Sequence, residues 1–169
     1  MAHAQADTLP PASASGRSPR VAARWWLLGL LLAINAANFA DRTIVGALGQ
    51  AIKADLKISD FQLGLLNGFA FAVFYSVLGL PVARLAERFN RVRIIAIATG
   101  VWTVMAMLCG MAQNYLQLIL ARIGVGAGEA GFNPPVASLV GDYFPGGRRG
   151  LAMAIIGLGG AVGPVIGAW

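Results

Sequence analysis

The sequence predicts an all-α fold of polytopic, membrane-spanning type, on three observations. Charge is scarce, with 12% of the 169 residues charged against 57% hydrophobic, whereas about a quarter of residues carry charge in an ordinary soluble domain. The apolar residues come in stretches close to the ~20 needed to cross a ~30 Å hydrocarbon core. The basic residues, 13 against 7 acidic, sit in short clusters between those stretches, where they orient helices, and no nucleic-acid partner is expected. The single cysteine, Cys109, lies in an apolar stretch, and the single histidine, His3, lies in the amino-terminal tail. No disulfide, metal-ligand spacing or nucleophile–base pair is therefore written into the chain, and neither an enzyme, a metal nor a cofactor is expected.

Taken in order, residues 1–24 read as a disordered cytoplasmic tail. Met1 to Arg20 is rich in Ala, Ser and Pro without apolar periodicity, and Arg17, Arg20 and Arg24 form a basic anchor before Trp25. A signal peptide is the competing reading, but the chain beyond it is more membrane and not a secreted domain. Five spans come next, at about 25–48, 61–83, 94–112, 115–143 and 150–169. The second carries no charge, and the third is equally clean until Gln113-Asn114 breaks it. The fourth contains Arg122, Glu129 and the pair Pro134-Pro135, which together with Pro164 in the fifth is expected to kink its helix.

Loop charge predicts the orientation. Arg17, Arg20 and Arg24, then Arg84, Arg88, Arg91 and Arg93, then Arg148 and Arg149 all fall on one side if every span crosses. The other side has only Lys53 and Lys57, accompanied by Asp55 and Asp60. The amino terminus is thus expected in the cytoplasm of a multi-pass protein of the plasma (inner) membrane.

Four charges lie inside apolar spans, where each costs about 2.5–3.5 kcal/mol on insertion scales. On the first span Asn35, Asn38, Asp41 and Arg42 make one polar stripe that has to face protein or water. On the fourth, Arg122 and Glu129 are two turns apart on nearly one face, ~10 Å along the axis. Asp41 lies ~24 Å above Trp25, at a height similar to Arg122, and Glu129 sits ~10 Å deeper. A permanent clamp between helices is the structural reading. The stagger suits a relay whose pairings change between states, with Asp41 as principal protonation site, Glu129 as a second carboxylate, and Arg42 or Arg122 as a fork for an anionic group.

The run Ala83-Arg84-Leu85-Ala86-Glu87-Arg88-Phe89-Asn90-Arg91-Val92-Arg93 resembles the cytoplasmic loop signature of the major facilitator superfamily, G-x-L-A-D-R-x-G-R-[RK]. Ala83 and Asn90 replace its glycines, Glu87 its aspartate and Val92 a base. Arg122, Gly126 and Gly128 resemble the R-x-x-x-G-x-G pattern of its fourth helix. Gly159, Gly163, Pro164 and Gly167 match the fifth-helix motif G-x-x-x-G-P-x-x-G-G up to its last glycine, which is Ala168 here. Asn38-Phe39-Ala40-Asp41-Arg42 and Gly126-Ala127-Gly128-Glu129-Ala130 are similar to the spinster-like branch.

The resemblance implies the incomplete amino-terminal six-helix half of a secondary transporter. Alternating access, coupling to protons and a small organic solute, anionic or lipid-like, go with it. Arg84, Glu87, Arg88 and Arg91 would then form a cytoplasmic gate latch. The expected partners are membrane lipid, the solute, protons and a missing carboxyl-terminal half, so the chain reads as truncated. A small helical subunit that assembles with a partner and does not transport by itself is the alternative.

Overall fold

The computed structural model describes residues 21–144 and 146–169, with the side chains of residues 21, 22, 70, 71 and 87 outside the described set. The predicted tail up to residue 20 therefore falls outside it. Among the described residues every regular element is helical. The chain runs through α1 (Val21–Ala47), α2 (Gly49–Leu56), α3 (Asp60–Gly64), a π-helix (Leu65–Phe69), α4 (Ala70–Arg88), α5 (Arg91–Gly110), α6 (Tyr115–Ala130), α7 (Asn133–Tyr143), α8 (Arg148–Gly157) and α9 (Gly159–Gly167). Four stretches are long and apolar enough to cross a membrane: Ala23–Ala47, Asp60–Ala86, Arg91–Gly110 and Arg148–Gly167. The stretch predicted as a fourth span is occupied by α6, which carries both Arg122 and Glu129, and by α7.

Short polar residues place the boundaries. The Ser59 hydroxyl accepts from the Gln62 amide at 3.2 Å while Gln62 Oε1 accepts from the Ser59 amide at 2.9 Å, a reciprocal cap that starts α3. Asn90 Oδ1 accepts from the amides of Val92 and Arg93 at 3.0 and 3.3 Å and opens α5. Asn114 does the same for α6 through the Gln117 amide at 2.9 Å. Asn90, which stands where the loop signature has glycine, is thus the residue that restarts the helix after the turn.

Several boundaries differ from the expected ones. Residues 21–24, expected in the tail, are helical and belong to α1. A short helix, α2, lies between the first two spans and is capped by Lys57 at φ 51°. The second span is interrupted by the π-helix at Leu65–Phe69, and Pro81 lies inside its later part, α4. The fourth breaks at Gly131-Phe132, just ahead of Pro134-Pro135, because neither proline has an N–H to give to the carbonyls four residues back, at Ala130 and Gly131, and the helix restarts with both prolines in its first turn. The fifth is divided at Leu158 and not at Pro164, between Gly157 and Gly159, where bonds of the tighter i→i+3 kind link Leu158 to Ile155 and Ala161 to Leu158.

Two helix pairs hold the bundle together, α1 with α9 and α5 with α6. Both depend on absent side chains. A Cβ added to Gly159 would lie 2.8 Å from the Ala36 amide nitrogen, one on Gly167 would lie 2.6 Å from the Ala40 carbonyl oxygen, and one on Gly163 would strike the Ala36 carbonyl oxygen. On α6 a Cβ at Gly128 would come within 2.6 Å of the Trp102 amide nitrogen. Backbone-to-backbone approach of this kind is the usual way helices associate in lipid, where no hydrophobic force drives them together. Between α1, α5, α7 and α8 lies an apolar core built on Leu28, Leu31, Ile95, Val136, Val140 and Ile156. The outward faces remain apolar: Val77 and Leu80 on α4, Ile97 and Val104 on α5, and Val165 and Ile166 on α9 are all exposed, as a hydrocarbon solvent requires.

Candidate functional site

The four intramembrane charges meet in one place between α1 and α6. Arg122 Nη1 donates to Asp41 Oδ2 at 2.9 Å. Arg42 donates from Nε and Nη2 to a single oxygen, Glu129 Oε2, at 2.9 and 2.5 Å. Adjacent residues on α1, one acid and one base, are therefore cross-paired with a base and an acid two turns apart on α6. Two charge-assisted hydrogen-bonded pairs satisfy what would otherwise be four isolated charges in a low-dielectric setting.

The two sides of this cluster are not equally enclosed. The α6 members are sealed, Arg122 being 3% and Glu129 1% exposed. The α1 side chains keep a partly open side, with Asp41 at 20% and Arg42 at 34%. Close seating of α6 on α5 through Gly128 brings Glu129 into the interior. Glu129 Oε1 and Arg122 Nε are both buried without a hydrogen-bond partner among the described residues. Glu129 thus retains an oxygen that can take up a proton or accept from a water, and Arg122 an N–H that can donate to a water or a further acceptor.

Aromatic rings frame the open side. The Arg42 guanidinium carbon is 5.4 Å from the Phe39 ring centre and 5.6 Å from that of Tyr75, within cation–π range. The Tyr75 hydroxyl in turn accepts from Asn133 Nδ2 at 2.7 Å, joining α4 to the first residue of α7. Asn35 and Asn38 are both buried. Asn35 donates through Nδ2 to the Ile156 carbonyl at 2.8 Å and ties α1 to the end of α8. Only part of the predicted polar stripe thus takes part in the charge cluster.

At the other end of α5, Arg91 forms an ion pair with Asp142 near the end of α7. Arg84 and Arg88 line a separate hollow of about 490 Å³ with Pro81 and Leu85. The Glu87 side chain lies outside the described residues.

The profile of the Major Facilitator Superfamily matches residues 30–169. The chain belongs to that superfamily. Its likeness to a bacterial homologue of the human lysosomal transporter spinster, crystallised in an inward-facing and unoccupied conformation, has a TM-score of 0.82 at 41% identity and covers 85% of this chain and 30% of that one. An MFS-type efflux pump of Mycolicibacterium smegmatis is 38% identical over 132 residues, 78% of this chain and 31% of the relative. A probable L-galactonate transporter of Escherichia coli is 28% identical over 160 residues, 94% of this chain and 35% of the relative. The chain spans about a third of the length of these relatives.

The fold is accordingly part of a spinster-like major facilitator protein, and the fifth-helix motif has a visible task in it: Gly159, Gly163 and Gly167 form the seam against α1, with Pro164 inside α9. Sequence reasoning missed Tyr75, Asn133 and Asp142. Asp142 carried a usable signal, an acid at the end of an apolar stretch beside an arginine-rich loop. Tyr75 carried none, since it sits in a span without charges and its role is set by what packs over it.

Proposed function

We propose that this chain belongs to a proton-coupled secondary transporter of an organic anion, working by alternating access, in which the α1–α6 cluster is the coupling element. The single observation behind this reading is the cross-pairing of Asp41 with Arg122 and Arg42 with Glu129 on two separate helices. The four charges sum to zero. A proton on Asp41 or Glu129 would cancel one ion pair and leave a guanidinium without its counter-ion, and that guanidinium is a planar fork suited to a carboxylate. A proton and a monovalent anion together keep the cluster neutral, whereas either alone leaves a net charge inside the membrane. The name of the Escherichia coli relative, a probable transporter of the anion L-galactonate, supports the same substrate class.

In this reading Asp41 is the principal protonation site because its side is partly open, and Glu129 is the second. Helix rocking changes which arginine each carboxylate meets. Arg91 and Asp142, with Arg84, Glu87 and Arg88, form the latch on the cytoplasmic side, and the carboxyl-terminal half found in the longer relatives is its counterpart. The protein sits in the plasma (inner) membrane with its amino terminus in the cytoplasm. A reporter inserted after Trp169 should read as periplasmic and one at Arg91 as cytoplasmic; cytoplasmic activity at both would sink that orientation.

The coupling is tested in the full-length protein reconstituted in vesicles, with L-galactonate as first probe and internal pH as readout. Asp41→Asn should abolish proton-driven accumulation while the protein stays folded and exchanges solute. Full pH-dependent uptake by Asp41→Asn would remove the case for a proton switch at this residue.

A further inference from the structure

A cavity of about 520 Å³ lies well away from the charge cluster, between the start of α1, the end of α7 and the start of α8. Its volume falls within the ~300–1,000 Å³ of small-molecule sites. Among the described residues its polar lining is two guanidinium groups, Arg24 and Arg148, and none of the lining residues is acidic. Arg24 Nε is buried without a hydrogen-bond partner among the described residues. Arg148 is the first residue of α8, whose first turn holds no acid, so the positive end of that helix adds to the same field. Apart from these two groups the wall is apolar among the described residues. The Trp25 and Phe144 rings meet edge to face at 6.5 Å, and Leu28 and Leu151 continue the surface. Trp25 and Leu151 are 57% and 61% exposed, so the wall opens onto the outside of the bundle.

We propose that this cavity is a binding site for an anionic phospholipid, its headgroup phosphate held by Arg24 and Arg148 and its upper acyl chains lying along Trp25 and Leu151. Two features favour a lipid over a soluble anion. The apolar wall is continuous with the exposed apolar face of the bundle, which a water-soluble phosphate would not use. Its level in the membrane is also right: Phe144 follows directly on α7, whose Asp142 is paired with Arg91 at the start of α5, so the cavity lies at the arginine-rich end of the bundle. Basic pockets between helices at that end of a membrane protein suit anionic headgroups, and a tryptophan at the interface is at home there. The site is independent of the transport reading above, and it can fail or stand without it.

The test uses the full-length protein purified in detergent, with native mass spectrometry in an equimolar mixture of phosphatidylglycerol and phosphatidylcholine. Each arginine is expected to contribute about fivefold to the preference for the anionic lipid. Arg24→Gln with Arg148→Gln should therefore lower the preference about twenty-five-fold, while Arg93→Gln, a charge removed elsewhere on the same end, should leave it unchanged. Leu151→Glu, which puts a carboxylate on the exposed wall with both arginines intact, should also abolish the preference. Unchanged phosphatidylglycerol retention in the double variant or in Leu151→Glu would overturn the site. An equal loss in Arg93→Gln would reduce it to general surface charge. Displacement of the lipid by millimolar glycerol 3-phosphate would assign the cavity to a soluble anion.

Discussion

Helix α1 presents two faces that are held in opposite ways. Toward α9 it offers Ala36 and Ala40 to Gly159, Gly163 and Gly167, a seam made by shape, with the Asn35–Ile156 hydrogen bond at its edge. Toward α6 it offers Asp41 and Arg42 to Arg122 and Glu129, a junction made by charge. The seam is backbone against backbone, with no room for even a methyl group between the helices. The junction is held by charge-assisted hydrogen bonds between side chains, and it is these that the proposed cycle re-pairs. A transporter needs both kinds of contact, one that carries a helix as a rigid unit and one that can exchange partners.

The comparison is broken most strongly by Arg122→Ala in the full-length protein. Removing one partner of a buried pair costs about 3–5 kcal/mol, because the other charge is left behind. The expected result is a large drop in thermal unfolding temperature, with much of the loss recovered in Arg122→Ala/Asp41→Ala. Additive losses in the double variant would show that the two groups do not act as a pair.

Gly163→Val attacks the other face. Overpacking of this kind costs about 1–3 kcal/mol, so the folded yield should fall while transport per folded molecule stays near that of the unmodified protein. A changed proton-to-solute ratio in Gly163→Val would mean that the seam also moves during the cycle.

A finer test falls between the two faces, at Tyr75. Loss of its ring in Tyr75→Leu removes a cation–π contact of about 0.5–2 kcal/mol, which should weaken solute affinity severalfold. Tyr75→Phe keeps the ring and gives up the hydroxyl, with its bond to Asn133. Equal effects from the two variants would assign the role to the hydroxyl. The smallest expected effect lies outside both faces: Asn90→Ala should cost about 1 kcal/mol as a lost helix cap, and Asn90→Asp should cost almost nothing, as read by thermal unfolding.

How much of this was legible in the sequence depends on which physical signal each residue sends. Asp41 and Arg122 stand out because charge is conspicuous in an apolar stretch, and a fixed rise of ~1.5 Å per residue is enough to set them at one height. The pairing of Arg42 with Glu129 does not follow from height alone. Arginine side chains are long, and side chains tilt toward the amino-terminal end of their own helix. The breaks at Gly131-Phe132 and Leu158 were foreshadowed by prolines nearby but displaced from them, since neighbouring helices decide where a weakened helix gives way. The π-helix at Leu65–Phe69, the Tyr75 ring over Arg42 and the inward bond of Asn35 are products of packing between distant segments. No local pattern announces them.

The α1–α9 seam also sets a schedule for assembly. Asn35 and its acceptor Ile156 are 121 residues apart, and a ribosome adds ~5–20 residues each second. For roughly 6–24 s at that rate, α1 sits in the bilayer before the helices that close over it have been synthesised. Asp41 and Arg42 wait a shorter time, since Arg122 follows 81 residues after Asp41. The charged junction is therefore available before the glycine seam, so the nascent chain can neutralise its most expensive groups first and lock the first helix in place last.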